Sequence, residues 1–149
     1  MELRKIKNPF VVNVLRNFDE SIEEVFDAWV DPVNVGGWLF STPEGENKIS
    51  EVDPRVGGDF VIGEQRGDEY AKHIGTYHVI DRPNKIVFNY YYEGEGENLS
   101  SNVSVDFSEE DVGCLVSVTH EMDAIYSEYE ENAKSGWNMI FDGLEKTLK

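Results

Sequence analysis

The sequence contains few thiols and few basic residues. Cys114 is its single cysteine among 149 residues. One cysteine cannot form a disulfide within the chain, which indicates a reducing compartment. Lys and Arg number 13 against 30 Asp and Glu, so the formal net charge is −17. A charge of this sign and size repels nucleic acid and anionic membrane surfaces, and we expect neither as a partner.

Long apolar segments are also missing. No stretch reaches the ~20 apolar residues that a membrane helix needs. The first residues, MELRKIKNPF, lack a long apolar run after the basic positions, so we expect no signal peptide. The length fits one domain. We therefore expect a cytoplasmic protein that folds as a single domain over residues 1–149.

Motifs of the common enzyme classes are absent too. The chain has neither a G-x-S-x-G nucleophile turn nor a phosphate-binding loop, and GEGENL fails the dinucleotide fingerprint. The stretch HEMDA begins at His120 like a zinc-protease motif, but Ala124 stands where the second histidine is needed. His73 and His78 fall on opposite faces of a regular strand. We expect no catalytic residue, no metal and no cofactor.

The chain begins with a strand and a capped helix. The β-branched stretch PFVVNVLRNF predicts a strand from about Phe10 to Phe18. Ser21 and Glu24 then form a capping box, in which each side chain satisfies a free amide of the first turn. Four apolar residues at helical spacing predict the buried face of this helix: Ile22, Val25, Phe26 and Trp29.

A second short helical turn is predicted after the first helix. Asp31 and Pro32 suit its N-cap and first position, and the pair Gly36-Gly37 suits its end. Trp38 follows directly, so much of the aromatic surface of this region lies beside two flexible residues.

Six further strands and a long helix complete the prediction. The strands are KISEVD, GGDFVIGE, YAKHIGTYHVID, KIVFNYYYE, SSNVSVDFS and GCLVSVTHE, and the short turns between them imply an antiparallel sheet. The last stretch, from Ser127 to Lys149, is helical, and Gly136 within it suggests a close approach to another element. Its apolar stripe must pack on one face of the sheet; the stripe comprises Trp137, Ile140, Phe141, Leu144 and Leu148.

Four segments together resemble a known family. FDESIEEVFDAWVDPVNVGGW, DPRVGGDF, IGTYHVIDRPNKIVFNY and SGWNMIFDGLEKTL are similar to the domain named after the activator of Hsp90 ATPase, within the START/Bet v 1-like helix-grip superfamily. The resemblance covers the chain from about Phe10 to Leu148. It implies an α+β helix-grip fold: a seven-stranded curved antiparallel sheet around a long C-terminal helix, with two short helices after the first strand. It also implies an internal, mostly apolar cavity.

The aromatic residues are the candidates for that cavity. Either they form only the core, or some of them line the cavity or its lid, with tyrosine hydroxyl groups turned towards a ligand. Trp38, Leu39 and Phe40 are the candidate lid, and His120 is either a satisfied core histidine or a polar group that orients a ligand. The candidate ligand-binding residues are Trp38, Phe40, Phe60, Tyr77, Phe88, Tyr90, His120, Trp137 and Phe141.

The resemblance and the missing motifs together give three functional hypotheses. The leading one is non-enzymatic binding of a hydrophobic small molecule, aromatic or lipid-like, in the internal cavity. The alternative is an interaction module that modulates a chaperone of the Hsp90 type, for which the negative charge suits a basic protein surface. The third and weakest is a cyclase or hydrolase.

Overall fold

The fold was analysed in a computed structural model that describes residues 3–149. It contains seven strands and two α-helices within that range, and the predicted strand boundaries lie within two residues of the observed ones. The strands are β1 (Phe10–Phe18), β2 (Glu46–Val52), β3 (Asp59–Arg66), β4 (Glu69–Asp81), β5 (Lys85–Tyr92), β6 (Ser101–Glu109) and β7 (Cys114–Met122). The helices are α1 (Ile22–Trp29) and α2 (Glu130–Leu148).

The strands form one curved antiparallel sheet in the order β1-β7-β6-β5-β4-β3-β2. Every neighbouring pair is antiparallel, and β1 pairs with β7 along its whole length, from Phe10 opposite Met122 to Phe18 opposite Cys114. The predicted α+β helix-grip fold is confirmed. Among the described residues, no helix has the length and apolar character to cross a membrane.

Helix α1 forms as the capping box predicts, with one difference. The Ser21 Oγ accepts a hydrogen bond from the Glu24 amide at 3.2 Å, but the Ser21 hydroxyl group donates to the Glu24 carboxylate at 3.1 Å instead of the carboxylate reaching a backbone amide. The predicted apolar face is buried, as the packing of an amphipathic helix requires.

The second predicted helix is shorter and begins later. Asp31 does cap a turn, because its carboxylate accepts from the Val33 amide at 2.9 Å. This turn leads into a 3-10 helix at Val35–Gly37, which contains the two glycines that were expected to end it.

The core lies between the sheet and the two helices, and α2 buries Trp137, Ile140, Phe141 and Leu144 against it. The close approach expected at Gly136 occurs at Gly143 instead. A Cβ atom built on Gly143 lies 3.3 Å from the Cβ of Trp38, whereas one built on Gly136 meets no atom within 4 Å. A glycine at 143 therefore lets α2 pack closely on the segment that follows α1.

Candidate functional site

A large pocket lies between α2 and the sheet. Its volume is about 780 Å³, which is in the range of small-molecule sites. The first half of α2 and the preceding 3-10 turn, Ala124–Tyr129, form one wall, and side chains of β4 to β7 form the other. On the helix side, Ala133 and Gly136 lie in the lining and present little side-chain volume.

A stack of rings forms the inner wall of the pocket. The ring of Phe40 lies parallel to the imidazole of His73, with their centroids 4.2 Å apart and an interplanar angle of 3°. Tyr90 packs on Phe40 at 4.6 Å, and Trp137 closes the far side at 6.2 Å from Phe40. These rings give the pocket flat apolar surfaces, which suit an aromatic or otherwise planar guest.

A hydrogen-bonded chain runs through the floor of the pocket. The indole Nε1 of Trp137 donates to Nδ1 of His120 at 3.0 Å, and Nε2 of His120 lies 2.8 Å from Oγ of Ser101. All three side chains are buried. Burial lowers the pKa of His120 to about 3, so the imidazole is neutral at physiological pH.

Beside this chain lies a second neutral histidine. Burial, and then the charge of Arg66, lower the pKa of His73 to about 3. Burial also raises the pKa of Tyr90 above its usual value. The interior of the pocket therefore carries no charge on these groups at neutral pH.

A buried carboxylate anchors the segment that carries Phe40. Glu64 is 2% exposed, and it accepts hydrogen bonds from the amide and hydroxyl groups of Thr42 and, at 3.2 Å, from Nε of Arg66. Arg66 also donates to the carbonyl of Phe40 at 3.1 Å. These bonds hold Phe40 in a left-handed backbone conformation (φ 60°) that is unusual for a bulky residue.

The mouth of the pocket is partly apolar and partly acidic. Ile125, Tyr129 and Met139 lie in its lining and are substantially exposed. Across the mouth, the Tyr126 hydroxyl group donates to the Glu95 carboxylate, which joins the turn before α2 to the β5–β6 connection.

The predicted site residues divide into two groups. Phe40, Tyr90, His120 and Trp137 lie in the pocket lining. The others are core residues outside it: Trp38, Phe60, Tyr77, Phe88 and Phe141. Trp38 is fully buried with its ring 4.9 Å from that of Trp29, so its side chain packs into the core and does not cover the pocket. Within the expected lid, Phe40 is the residue that reaches the lining.

Sequence reasoning missed several residues of this site. Glu64 and Arg66 look like ordinary charged residues near the end of a strand, because their partners lie more than twenty positions earlier in the chain. His73 stands in the segment YAKHIGTYHVID, where apolar and polar residues are mixed on both faces, so the sequence pattern does not indicate that it is buried. In the structure, the buried face of β4 comprises Ala71, His73, Gly75 and Tyr77.

No arrangement in residues 3–149 brings together three or more His, Cys, Asp or Glu side chains that could hold a metal ion. Cys114 is buried in the core outside the pocket lining. Burial and nearby glutamates raise its pKa to about 11, so the thiol is protonated at neutral pH.

Comparison with known proteins identifies a family that matches this chain and solved structures that share its fold. The family described as activator of Hsp90 ATPase homolog 1-like protein matches residues 19–149. No curated protein matches the chain. Protein SA2116 from Staphylococcus aureus is 17% identical with a TM-score of 0.81, and the match covers 95% of this chain and 94% of that one. Protein CV1439 from Chromobacterium violaceum is 17% identical with a TM-score of 0.80, covering 93% and 96%. CalU16 from Micromonospora echinospora is 23% identical with a TM-score of 0.68, covering 95% and 77%. These structures share the fold.

Proposed function

We propose that this chain, which belongs to the family of activator of Hsp90 ATPase homolog 1-like proteins, binds a hydrophobic small molecule in its pocket without transforming it. The observation that carries the proposal is the pocket of about 780 Å³ between α2 and the sheet. Its lining combines flat aromatic surfaces with a few buried polar groups, which is the usual composition of a small-molecule site. An aromatic or lipid-like compound fits this lining.

The state of the polar groups supports binding over catalysis. General acid–base catalysis works best when the pKa of the catalytic group lies near the working pH. The pKa values of His73 and His120 are lowered to about 3, and that of Tyr90 is raised. Moreover, both ring nitrogens of His120 are occupied by Trp137 and Ser101. A cyclase or hydrolase reaction would need a group that gains or loses a proton more readily.

The proposal can be tested by filling the pocket from within. Gly136 lies in the lining, and a Cβ atom added there meets no atom within 4 Å. Gly136→Phe should therefore occupy the pocket without displacing the core, whereas Gly136→Ala is the matched control that leaves most of the space open. Binding is followed with N-phenyl-1-naphthylamine, a neutral probe that fluoresces in apolar surroundings.

The wild type and the alanine variant should bind the probe saturably, and the phenylalanine variant should bind it at least about tenfold more weakly. Backbone amide shifts should change around Tyr90, His120 and Trp137. If all three proteins bind alike, the probe sits elsewhere and the proposal fails. Turnover of a bound compound would instead favour an enzyme.

Modulation of a chaperone is the second candidate, because the family description names activation of the Hsp90 ATPase. The net charge of −17 would favour a basic surface on such a partner. Stimulation of the ATPase rate of the host's own Hsp90-type chaperone, at stoichiometric amounts and equally by wild type and Gly136→Phe, would support this candidate and contradict the pocket-based one.

A further inference from the structure

The hydrogen bonds in the pocket floor have a fixed direction. An indole N–H can only donate, so Nδ1 of His120 accepts from Trp137 and carries no hydrogen. Because this imidazole is neutral, its one hydrogen is on Nε2. Nε2 therefore donates to Oγ of Ser101 at 2.8 Å. The hydroxyl hydrogen of Ser101 is left to donate to a further group.

That further group is at the pocket surface. Ser101 and Tyr90 both lie in the lining, and a hydrogen bond with Ser101 partly offsets the burial that raises the pKa of the Tyr90 hydroxyl group. If the Ser101 hydroxyl group donates to the Tyr90 oxygen, the hydrogen of the Tyr90 hydroxyl group is free to donate. If it does not, the hydrogen of the Ser101 hydroxyl group is itself free to donate. Trp137 and His120 thus present a hydroxyl donor to the pocket.

The charges around the pocket disfavour an anion. Glu95 and Glu128 lie in the lining near the mouth. The guanidinium group of Arg66 also lies there, but it is already paired with Glu64 and with the carbonyl of Phe40. A carboxylate ligand would therefore lose its hydration and meet neutral groups inside.

We propose that the pocket selects neutral ligands whose buried end carries a hydroxyl group, such as phenols and alcohols with an apolar body. The hydroxyl oxygen accepts from the Ser101–Tyr90 donor. A hydroxyl group can both donate and accept, so it matches this pair whichever of the two residues supplies the hydrogen. This inference rests on the proposed function, because it specifies which hydrophobic molecules the pocket prefers.

Three compounds with one ring system test the inference: 2-methylnaphthalene, 2-naphthol and 2-naphthoate. Each is titrated at pH 7 against protein loaded with N-phenyl-1-naphthylamine, and displacement gives its affinity. We expect 2-naphthol to bind about tenfold more tightly than 2-methylnaphthalene, which has the same shape without the hydroxyl group. We expect 2-naphthoate to bind more weakly than 2-naphthol, since it carries a charge.

Variants then show which residues give the preference. Ser101→Ala removes the hydroxyl group that accepts from His120, and Tyr90→Phe removes the other hydroxyl group of the pair. Each should bring the affinities of 2-naphthol and 2-methylnaphthalene closer together. Tyr77→Phe is the matched control, because it removes a tyrosine hydroxyl group that lies outside the lining, and it should keep the wild-type preference.

The outcomes separate this inference from the function on which it rests. Equal affinity of the wild type for 2-naphthol and 2-methylnaphthalene would overturn the inference while leaving the apolar pocket as a binding site. Tightest binding of 2-naphthoate would overturn it in the same way. If neither the probe nor any naphthalene binds saturably, the proposed function fails and the inference fails with it. The wild-type series decides these cases even where a variant does not fold.

Discussion

The two histidines in the pocket wall should make the protein sensitive to mild acid. Burial holds the pKa of His73 and of His120 at about 3 in the folded protein, compared with ~6.5 for an unperturbed histidine. As the pH falls below about 6.5, the unfolded chain binds protons that the folded protein does not, and the free energy of unfolding decreases. Above that pH both states are neutral at these residues, and the effect vanishes.

The expected decrease in the free energy of unfolding follows from the pKa values of the folded and unfolded states. Between pH 8 and pH 5, each histidine should lower the free energy of unfolding by about 2 kcal/mol, or about 4 kcal/mol for both. That is a large part of the 5–15 kcal/mol typical of a domain. An unperturbed carboxyl group, with a pKa of ~4, changes its charge little over this interval, so we expect the histidines to dominate the difference.

Urea unfolding at a series of pH values, followed by tryptophan fluorescence, measures the effect. His120→Gln keeps an acceptor for Trp137 and a donor for Ser101 but removes the titrating ring, and His73→Phe keeps the stack on Phe40. Each variant should lose about half of the acid-induced decrease, and the double variant should lose most of it. The reasoning is refuted if the wild type is equally stable at pH 5 and pH 8, or if its decrease persists in the double variant.

Four other replacements test the packing around α2 and the segment before β2. Trp137→Ala should destabilise the protein by about 3–5 kcal/mol, because the ring is buried; a loss under about 1 kcal/mol in a chemical denaturation followed by circular dichroism would mean that α2 does not grip the sheet through this residue. Gly136→Ala should stabilise the protein by about 1 kcal/mol, whereas Gly143→Ala should gain less or lose stability because its Cβ would lie 3.3 Å from Trp38; equal gains in thermal unfolding would contradict this difference. Gly37 has open space around it and no positive φ, so Gly37→Ala should stabilise by about 0.4–1 kcal/mol, and a measured loss would show that this glycine is conformationally required.

The fold could be predicted from the sequence because its signals are local. A strand such as β6 alternates apolar and polar residues along its length, and the observed burial alternates in the same way. The face of α1 follows from four residues within two turns. In these elements, the pattern of apolar and polar residues nearby in the chain already indicates which residues are buried.

The pocket could be predicted only in part because its polar groups depend on distant partners. Glu64 is buried because it receives hydrogen bonds from Thr42, and no pattern within β3 indicates that pairing. Likewise, the sequence does not show which of the two glycines in α2 packs closely against another element, since Gly136 and Gly143 both lie beside the apolar stripe of this helix. Their different surroundings arise from the path of the chain at Trp38.

The pairing of β1 with β7 has a consequence for how the chain reaches its fold. Phe10 pairs with Met122, so the first strand has no partner until almost all of the remaining strands have been synthesised. Non-local pairing of this kind raises the contact order and slows folding. Until then, β1 is an unpaired strand with apolar side chains on both faces, including Val11 and Leu15, which stay largely exposed even in the folded protein. During synthesis this strand is therefore open to wrong pairing with other chains, and the strong negative charge of the chain counteracts such encounters by mutual repulsion.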